Sequence, residues 1–484
     1  MRSMVWFRRD LRTHDHPALH AATKSATEGV VAVYVATPGQ WRQHGDAPRK
    51  VGFWLDNLRS LSNQLSKLNI PLLIESVHDF ADVPQALLRV ASRVGAHAVH
   101  VNREYEVNES RRDALVERAF TKRGIRHHDY DDRTIVPPDI LKTRKGNFFT
   151  AYSPFRRTWV NYVEHTTLLP LPPPGPQGDT GLTASEVPSS FEDFDLCGTS
   201  DHQRWPTGES AARRKLDDFI ADTIERYDQN RDHPSVDGTS SLSPYLAAGV
   251  LSPRACLAQA LRANDGRATG RNAGVETWIS ELTWRDFYTH VLVGFPRVSM
   301  DHPFDRTTKD MTWRQSPEEL AAWKEGRTGY PLVDAGMRQL AQTGWMHNRL
   351  RMVTAMFLSK HLLIDWRKGE SHFMSHLIDG DLAANNGGWQ WSASTGTDAV
   401  PYFRIFNPYS QSKRFDVNGN FIREFCPELA EVAPKDLHNP KRFGQEERQR
   451  VGYPMPIVEH AHARERALTL FKTHRAGLKS RTLA

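Results

Sequence analysis

Four short runs rich in β-branched and aromatic residues, SMVWF, GVVAVYVAT, IPLLIES and AHAVHVN, lie between Ser3 and Asn102, and the stretches separating them carry helical periodicity. This alternation limits the fold, because strands joined through helices are laid side by side in one direction. An N-terminal α/β domain with a parallel, Rossmann-like sheet is predicted over residues 1–130. In one intervening stretch Leu55, Leu58, Leu61, Leu65 and Leu68 recur at three and four residues, giving a helix with one apolar stripe to lay on the sheet. Asp15, with Pro17 two positions on, predicts the N-cap of an earlier helix. No G-x-G-x-x-G follows the first run, so the sheet lacks the ordinary dinucleotide fingerprint.

From Leu168 to about Ser190 the chain reads LLPLPPPGPQGDTGLTASEVPSS, where proline and glycine forbid regular helix and little apolar surface is left to bury. Residues 131–207 are therefore predicted to connect two domains, and the helical pattern after Gly208 predicts an all-helical domain over 208–484. Nine of the thirteen tryptophans lie beyond residue 200, so the aromatic chemistry belongs to the helical part. Cys197, Cys256 and Cys426 are far apart, without a C-x-x-C or Cys/His cluster, which argues against a zinc site or a disulfide framework and fits a reducing cytoplasm. The N-terminus is charged by Arg8 and no window approaches a membrane-spanning run, so a soluble protein without membrane or metal partners is expected. A net charge of +6 is compatible with an anionic partner.

Three stretches carry residues that a core or a solvated face would not select. Between Asp379 and Pro408 the chain reads DGDLAANNGGWQWSASTGTDAVPYFRIFNP, in which Asn385 and Asn386 offer amides, Gly387 and Gly388 permit close approach of a flat ligand, and Trp389 and Trp391 offer π surfaces. Trp278, Glu281, Trp284 and Arg285 fall at i, i+3, i+6 and i+7, on one side of a helix; a surface ion pair beside packed indoles would read the same way. In GWMHNRLRMVTAMF, Asn348, Arg351 and Met352 share a face with Arg349 on its flank, a set suited to phosphate or carboxylate, while His347 reads as a structural histidine. Asp379 and Asp381 form a D-x-D, but Leu382, Ala383 and Ala384 add no oxygen ligands, which disfavours a metal. GTSSLSP, from Gly238 to Pro244, reads either as a helix cap or as a hydroxyl-rich cradle for a diphosphate.

Taken with VWFRRDLRTHDHPAL, WISELTWRDFY, TGYPLVDAGMRQL and GWMHNRLRM, the run IDGDLAANNGGWQWSASTGTDAVPYFRIFNP resembles the photolyase/cryptochrome family over nearly the whole chain. Within the family it most resembles bacterial class I cyclobutane pyrimidine dimer photolyases. The resemblance implies an α/β antenna domain, a linker, and a helical domain binding FAD and DNA that carries a pyrimidine dimer. It implies a monomeric, light-driven carbon–carbon lyase that flips the lesion out of the duplex. By matching motif, Tyr227, Thr239, Ser240, Leu242, Ser243, Trp278, Glu281, Arg285, Asn348, Arg351, Asp379, Asp381 and Asn385 would surround the flavin, with Asp379 paired to Arg351. Glu281, Asn348, Met352 and Asn385 would serve the reaction, and Arg231, Glu281, Trp284, Asn348, Arg349, Met352 and Trp391 would meet the lesion or its strand. Trp313, Trp366 and Trp389 match the electron-hopping tryptophans that re-reduce an oxidised flavin.

His44, Asn108 and Glu109 match the site of a second, antenna chromophore, a methenyltetrahydrofolate-type folate. Two positions depart from the pattern: Met300 stands where relatives often carry lysine, and Ser241 where they often carry a basic residue. The rival reading is a cryptochrome-type blue-light photoreceptor without repair activity. Against it stand the set Asn348, Met352, Asn385 and Trp391 and the short basic tail after the last predicted helix. A photolyase for (6-4) lesions would be expected to pair histidines where His347 is followed by Asn348.

Overall fold

The computed structural model describes residues 1–191, 194–196, 198 and 201–482, with side chains through residue 476; Cys197 lies outside the described residues. The chain forms two compact units that interleave along the sequence, one of residues 1–228, 240–296 and 378–381 and the other of 229–239, 297–377 and 382–484.

The first unit is built on a parallel sheet. The four expected runs form β1 (Arg2–Phe7), β2 (Val30–Ala36), β3 (Leu72–Ser76) and β4 (Ala96–Asn102), joined by a strand the hydropathy pattern did not announce, β5 (Arg126–Tyr130). Their order is β3-β2-β1-β4-β5, and Val5 at the centre stands opposite Ala32 on one side and His100 on the other. All seven residues of β2 are buried, as a sheet covered on both faces requires. β5 reads RHHDY and escapes detection because it is an edge strand; backbone bonds to β4 hold it without a buried face.

Helices α1 (Pro17–Ser25), α2 (Pro38–Gln43), α3 (Pro48–Lys67), α4 (Val83–Val94) and α5 (Val107–Thr121) fill the connections. Along α3 the predicted stripe is buried at Leu55, Leu58, Leu61 and Leu65, and Leu68 closes the helix. The cap of α1 is not Asp15 but His16, whose ring nitrogen accepts the Leu19 N–H. Asp15 is committed elsewhere: fully buried at φ 49°, it accepts the Leu171 N–H at 3.0 Å and pairs with Arg254 at 3.1 Å.

The proline-rich segment is irregular but held. Gln177 accepts the Val30 N–H at 2.7 Å and donates to the carbonyls of Val30 and Asn69 at 2.9 and 2.8 Å. Farther on, the 22-residue helix Ala273–Gly294 secures residues 135–159. Its buried Asp286 accepts the N–H groups of Ile135 and Val136 and the Trp159 indole N–H at 2.9 to 3.1 Å, and His290 accepts the Phe149 N–H at 2.9 Å. Burial raises Asp286 to about 6 and lowers His290 to about 4, so the imidazole is neutral and able to accept at neutral pH. Gly249, at φ 65°, cannot carry a side chain, because a Cβ there would lie 2.0 Å from the Arg9 carbonyl oxygen.

The second unit is helical. Trp323, Tyr330, Leu340, Trp366, Phe373, Trp389 and Phe421 belong to its core, with Trp313 partly buried against it. The glycine-bearing run that opens at Leu382 is part of this order: Leu382–Ala393 is a helix with Gly387 and Gly388 in its interior.

Candidate functional site

On the 273–294 helix, Asn272 caps the first turn by accepting the Val275 N–H. The four predicted residues divide. Trp278 is buried against Phe219 at a ring separation of 5.2 Å, whereas Glu281, Trp284 and Arg285 remain partly exposed. Trp284 lies flat on Tyr152, with centroids 3.6 Å apart and planes 6° from parallel. Tyr152 is fixed in turn by donating its hydroxyl to the Ser280 carbonyl at 2.9 Å. One face of the Trp284 indole is thus occupied by protein. Arg285 donates to the carbonyls of Arg133 and, at 3.5 Å, Leu246.

Elsewhere in the first unit, Tyr227 is buried with its ring edge-on to Phe219. The hydroxyl-rich segment leads into the helix Ser243–Ala247: Ser241 adopts φ 47°, Leu242 is buried at the N-cap and Ser243 is exposed. Asp379 is buried, and Asp381 pairs with Arg133 at 2.6 Å. His44, Asn108 and Glu109 come together. The Asn108 amide lies 3.0 Å from the His44 ring, and the Glu109 carboxyl lies 3.7 Å from its other nitrogen. Burial, reinforced by Glu106, raises Glu109 to about 7.

In the second unit His347 caps the helix Asn348–Met356 by accepting the Arg349 N–H, and burial holds it neutral with a value of about 4. Asn348 is exposed, Met352 half-buried, and Arg351 donates Nε to the Met346 carbonyl at 2.8 Å. Arg349 pairs with Asp232 at 2.7 Å and stacks over Phe415 at 4.4 Å, so part of its charge is already matched within the protein; Arg231 lies 3.9 Å from the same aspartate. Met300 is 47% exposed.

On the 382–393 helix the two asparagines differ in role. Asn386 is buried and structural, donating to the Glu370 carboxyl at 2.9 Å and accepting from Gln390 at 2.7 Å. Asn385 donates to the Glu370 carbonyl at 3.1 Å, which orients its amide. Ala384 is exposed and a Cβ added at Gly388 would meet nothing within 4 Å, so this turn of helix is open to a flat ring, with an oriented amide beside it. That shape fits an isoalloxazine. Trp389, on another face, is buried with Phe373 at 4.9 Å and Trp323 at 6.0 Å, while Trp391 is half-buried. The helix Trp366–Met374 carries buried Trp366, with the Arg367 guanidinium 4.8 Å above its ring, and Gly369, where a Cβ would fall 2.1 Å from the Trp389 ring.

Tyr152, Arg133, Glu106 and Glu370 carry much of this geometry, and sequence reasoning missed them. Tyr152 is 132 residues before Trp284 and Arg133 is 248 before Asp381, beyond any local spacing rule. Among the described residues no group of three or more His, Cys, Asp or Glu could hold a metal, and no helix is long and apolar enough to cross a membrane.

A family model described as DNA photolyase matches residues 3–176, and one described as the FAD binding domain of DNA photolyase matches 278–473. A deoxyribodipyrimidine photo-lyase from Escherichia coli (strain K12) is 44% identical over 474 residues, covering 98% of this chain and 99% of its own. The chain belongs to the DNA photolyase family. Two solved photolyase-family structures share its architecture. An archaeal photolyase from Sulfolobus tokodaii, solved with two FAD molecules, aligns at TM-score 0.79 and 29% identity over 98% of this chain and all of its own. A cryptochrome from Synechocystis sp. PCC6803 aligns at TM-score 0.84 and 30% identity over 97% and 99%. Proteins named photolyase and cryptochrome therefore share this architecture, and the fold alone does not tell the two apart.

Proposed function

We propose that this chain is a light-dependent DNA-repair lyase that splits cyclobutane pyrimidine dimers. Its full-length kinship with deoxyribodipyrimidine photo-lyases carries the reading. The cofactor is FAD, which when bound supplies a light-absorbing reduced ring able to lend the lesion one electron and recover it, so that both cyclobutane carbon–carbon bonds break without net oxidation.

The residues that hold FAD are Tyr227, Thr239, Ser240, Leu242, Ser243, Trp278, Arg285, Arg351, Asp379, Asp381 and Asn385, the hydroxyls binding its diphosphate and Asp379 pairing with Arg351. The Asn385 amide orients the reactive nitrogen without acting as a proton donor, because an amide does not release a proton as a carboxylic acid does. Trp284 and Trp391 receive the apolar rim of the flipped lesion, Glu281 and Asn348 hydrogen-bond its carbonyls, and Met352 packs beside it. Arg231 and Arg349 steady the strand by charge. Trp389, Trp366 and Trp313 return electrons from the surface when the cofactor has been oxidised.

His44, Asn108 and Glu109 hold a folate-type antenna, a reading their convergence supports. In functional terms residues 1–130 form the antenna module, 131–207 the connection and 208–484 the FAD- and DNA-binding module of a cytoplasmic monomer. Purified protein with reduced FAD should restore unmodified pyrimidines in irradiated DNA only under blue or near-ultraviolet light. Equal restoration in darkness, or none in light with FAD verified as bound, overturns the proposal; the latter result is the one a photoreceptor without repair activity would give.

A further inference from the structure

The charges around Glu109 do not end at the antenna residues. Glu109 lies 3.9 Å from Arg9, Arg9 is 2.8 Å from Glu106, Glu106 is 3.2 Å from Arg133, and Arg133 is 2.6 Å from Asp381. His44 stands at the Glu109 end. At the other end the Arg133 carbonyl accepts from the Arg285 guanidinium, so one residue grips both Asp381 and Arg285, through its side chain and its backbone. From Glu109 to Asp381 the five charged side chains are at most 17% exposed, and Glu104, 2.5 Å from Arg9 and 3.8 Å from Arg133, adds a further buried carboxylate. In so dry an environment charges are weakly screened, and a change at one end is felt at the other.

From this continuous ion chain we infer that Arg133 is a positioning residue shared by the two chromophore sites: it fixes the Asp381 carboxylate toward FAD and couples antenna-ligand binding electrostatically to the flavin. The inference rests on the proposed placement of the folate at His44, Asn108 and Glu109 and of FAD at Asp381 and Arg285. A ligand whose polar edge binds Glu109 competes with Arg9 for that carboxylate. The released attraction of Arg9 falls on Glu104 and Glu106, which both face Arg133, so their hold on Arg133 weakens and that of Asp381 strengthens. The coupling must be reciprocal, so the factor by which the antenna ligand changes the equilibrium for flavin reduction equals the factor by which flavin reduction changes ligand affinity.

The test uses full-length protein loaded with FAD and titrated with 5,10-methenyltetrahydrofolate, followed by its absorbance, with the flavin oxidised and then reduced in the dark. Wild type is expected to show a roughly fivefold or larger difference between the two folate dissociation constants, matched by a folate-dependent shift of the flavin reduction equilibrium. In Arg133→Gln both chromophores should bind while the difference falls within about twofold, and Arg133→Lys should recover part of it because the charge returns without the second guanidinium donor. Equal folate affinities for oxidised and reduced wild type, or coupling that survives in Arg133→Gln, overturns the coupling. If wild type binds FAD but no folate, the antenna placement fails and the coupling with it. The hold on Asp381 is read separately in folate-free protein: a changed flavin reduction equilibrium in Arg133→Gln supports it, and an unchanged one overturns it. Arg133→Lys supplies the same reading if the glutamine variant does not fold.

Discussion

Replacing Trp284 by alanine tests the proposed stacking on the lesion separately from general affinity for DNA. Tyr152 covers one face of the indole at 3.6 Å and 6°, Phe287 and Tyr288 meet it at 5.7 and 5.5 Å, and the side chain stays partly exposed; the proposed stacking on the lesion uses the face away from Tyr152. A single aromatic face stacked on a base contributes ~1–3 kcal/mol, so Trp284→Ala should weaken binding of dimer-containing duplex by roughly 5- to 150-fold. Intact duplex, held by phosphate contacts, should change far less. The assay is equilibrium titration of irradiated and unirradiated duplex in the dark at one salt concentration, with FAD content verified by absorbance. Tyr152→Phe keeps the stack and removes the hydroxyl's bonds to the Ser280 carbonyl and hydroxyl, so it should cost lesion binding about 1 kcal/mol or less. Tyr152→Ala frees the indole to rotate and should reproduce part of the Trp284→Ala loss. Equal weakening on both DNAs with FAD retained would refute the proposed stacking, as would no weakening on either.

The proposed electron path and the Asp286 clamp on residues 135–159 give further tests. Trp389→Phe should abolish photoreduction of oxidised flavin yet leave repair by chemically reduced enzyme near wild-type rate; transient absorption and a repair assay read the two separately. Gly369→Ala would place a methyl 2.1 Å from the Trp389 ring where carbon atoms need about 3.5–4.0 Å, so the indole must retreat. It should lower stability by ~1–3 kcal/mol and slow photoreduction, with dark-reduced repair unchanged. Asp286, raised from 3.8 to about 6 chiefly by burial, makes the folded state bind protons more tightly than the unfolded state. Its contribution is therefore full below pH ~4 and is lost as pH rises through ~6, a span of about 3 kcal/mol. Denaturant titrations of wild type and Asp286→Asn should differ by that pH-dependent step; parallel profiles would show that Asp286 does not titrate in this range.

Local patterns were legible where local physics set them. The four apolar runs became β1 to β4, and the leucine stripe became the buried face of α3, since period and hydrophobicity act within one element. Asp15 shows where that reasoning stops. Its spacing from Pro17 satisfied the rule for a helix cap, but Arg254 and the Leu171 N–H claimed the carboxylate and His16 took its place. The 382–393 helix carries Gly387 and Gly388 in its interior, where the weak intrinsic preference of glycine does not break it.

By itself the sequence determined a parallel N-terminal sheet, an irregular proline-rich segment, a mostly helical remainder and the motifs of a photolyase, because each is written in contiguous residues. Only the tertiary structure decided that Tyr152 would back Trp284, that Asp286 would gather the N–H groups of Ile135 and Val136, and that Arg133 would stand between Glu106 and Asp381. Those contacts join residues more than a hundred positions apart or on different elements, and their energy depends on burial and geometry that no spacing along the chain encodes.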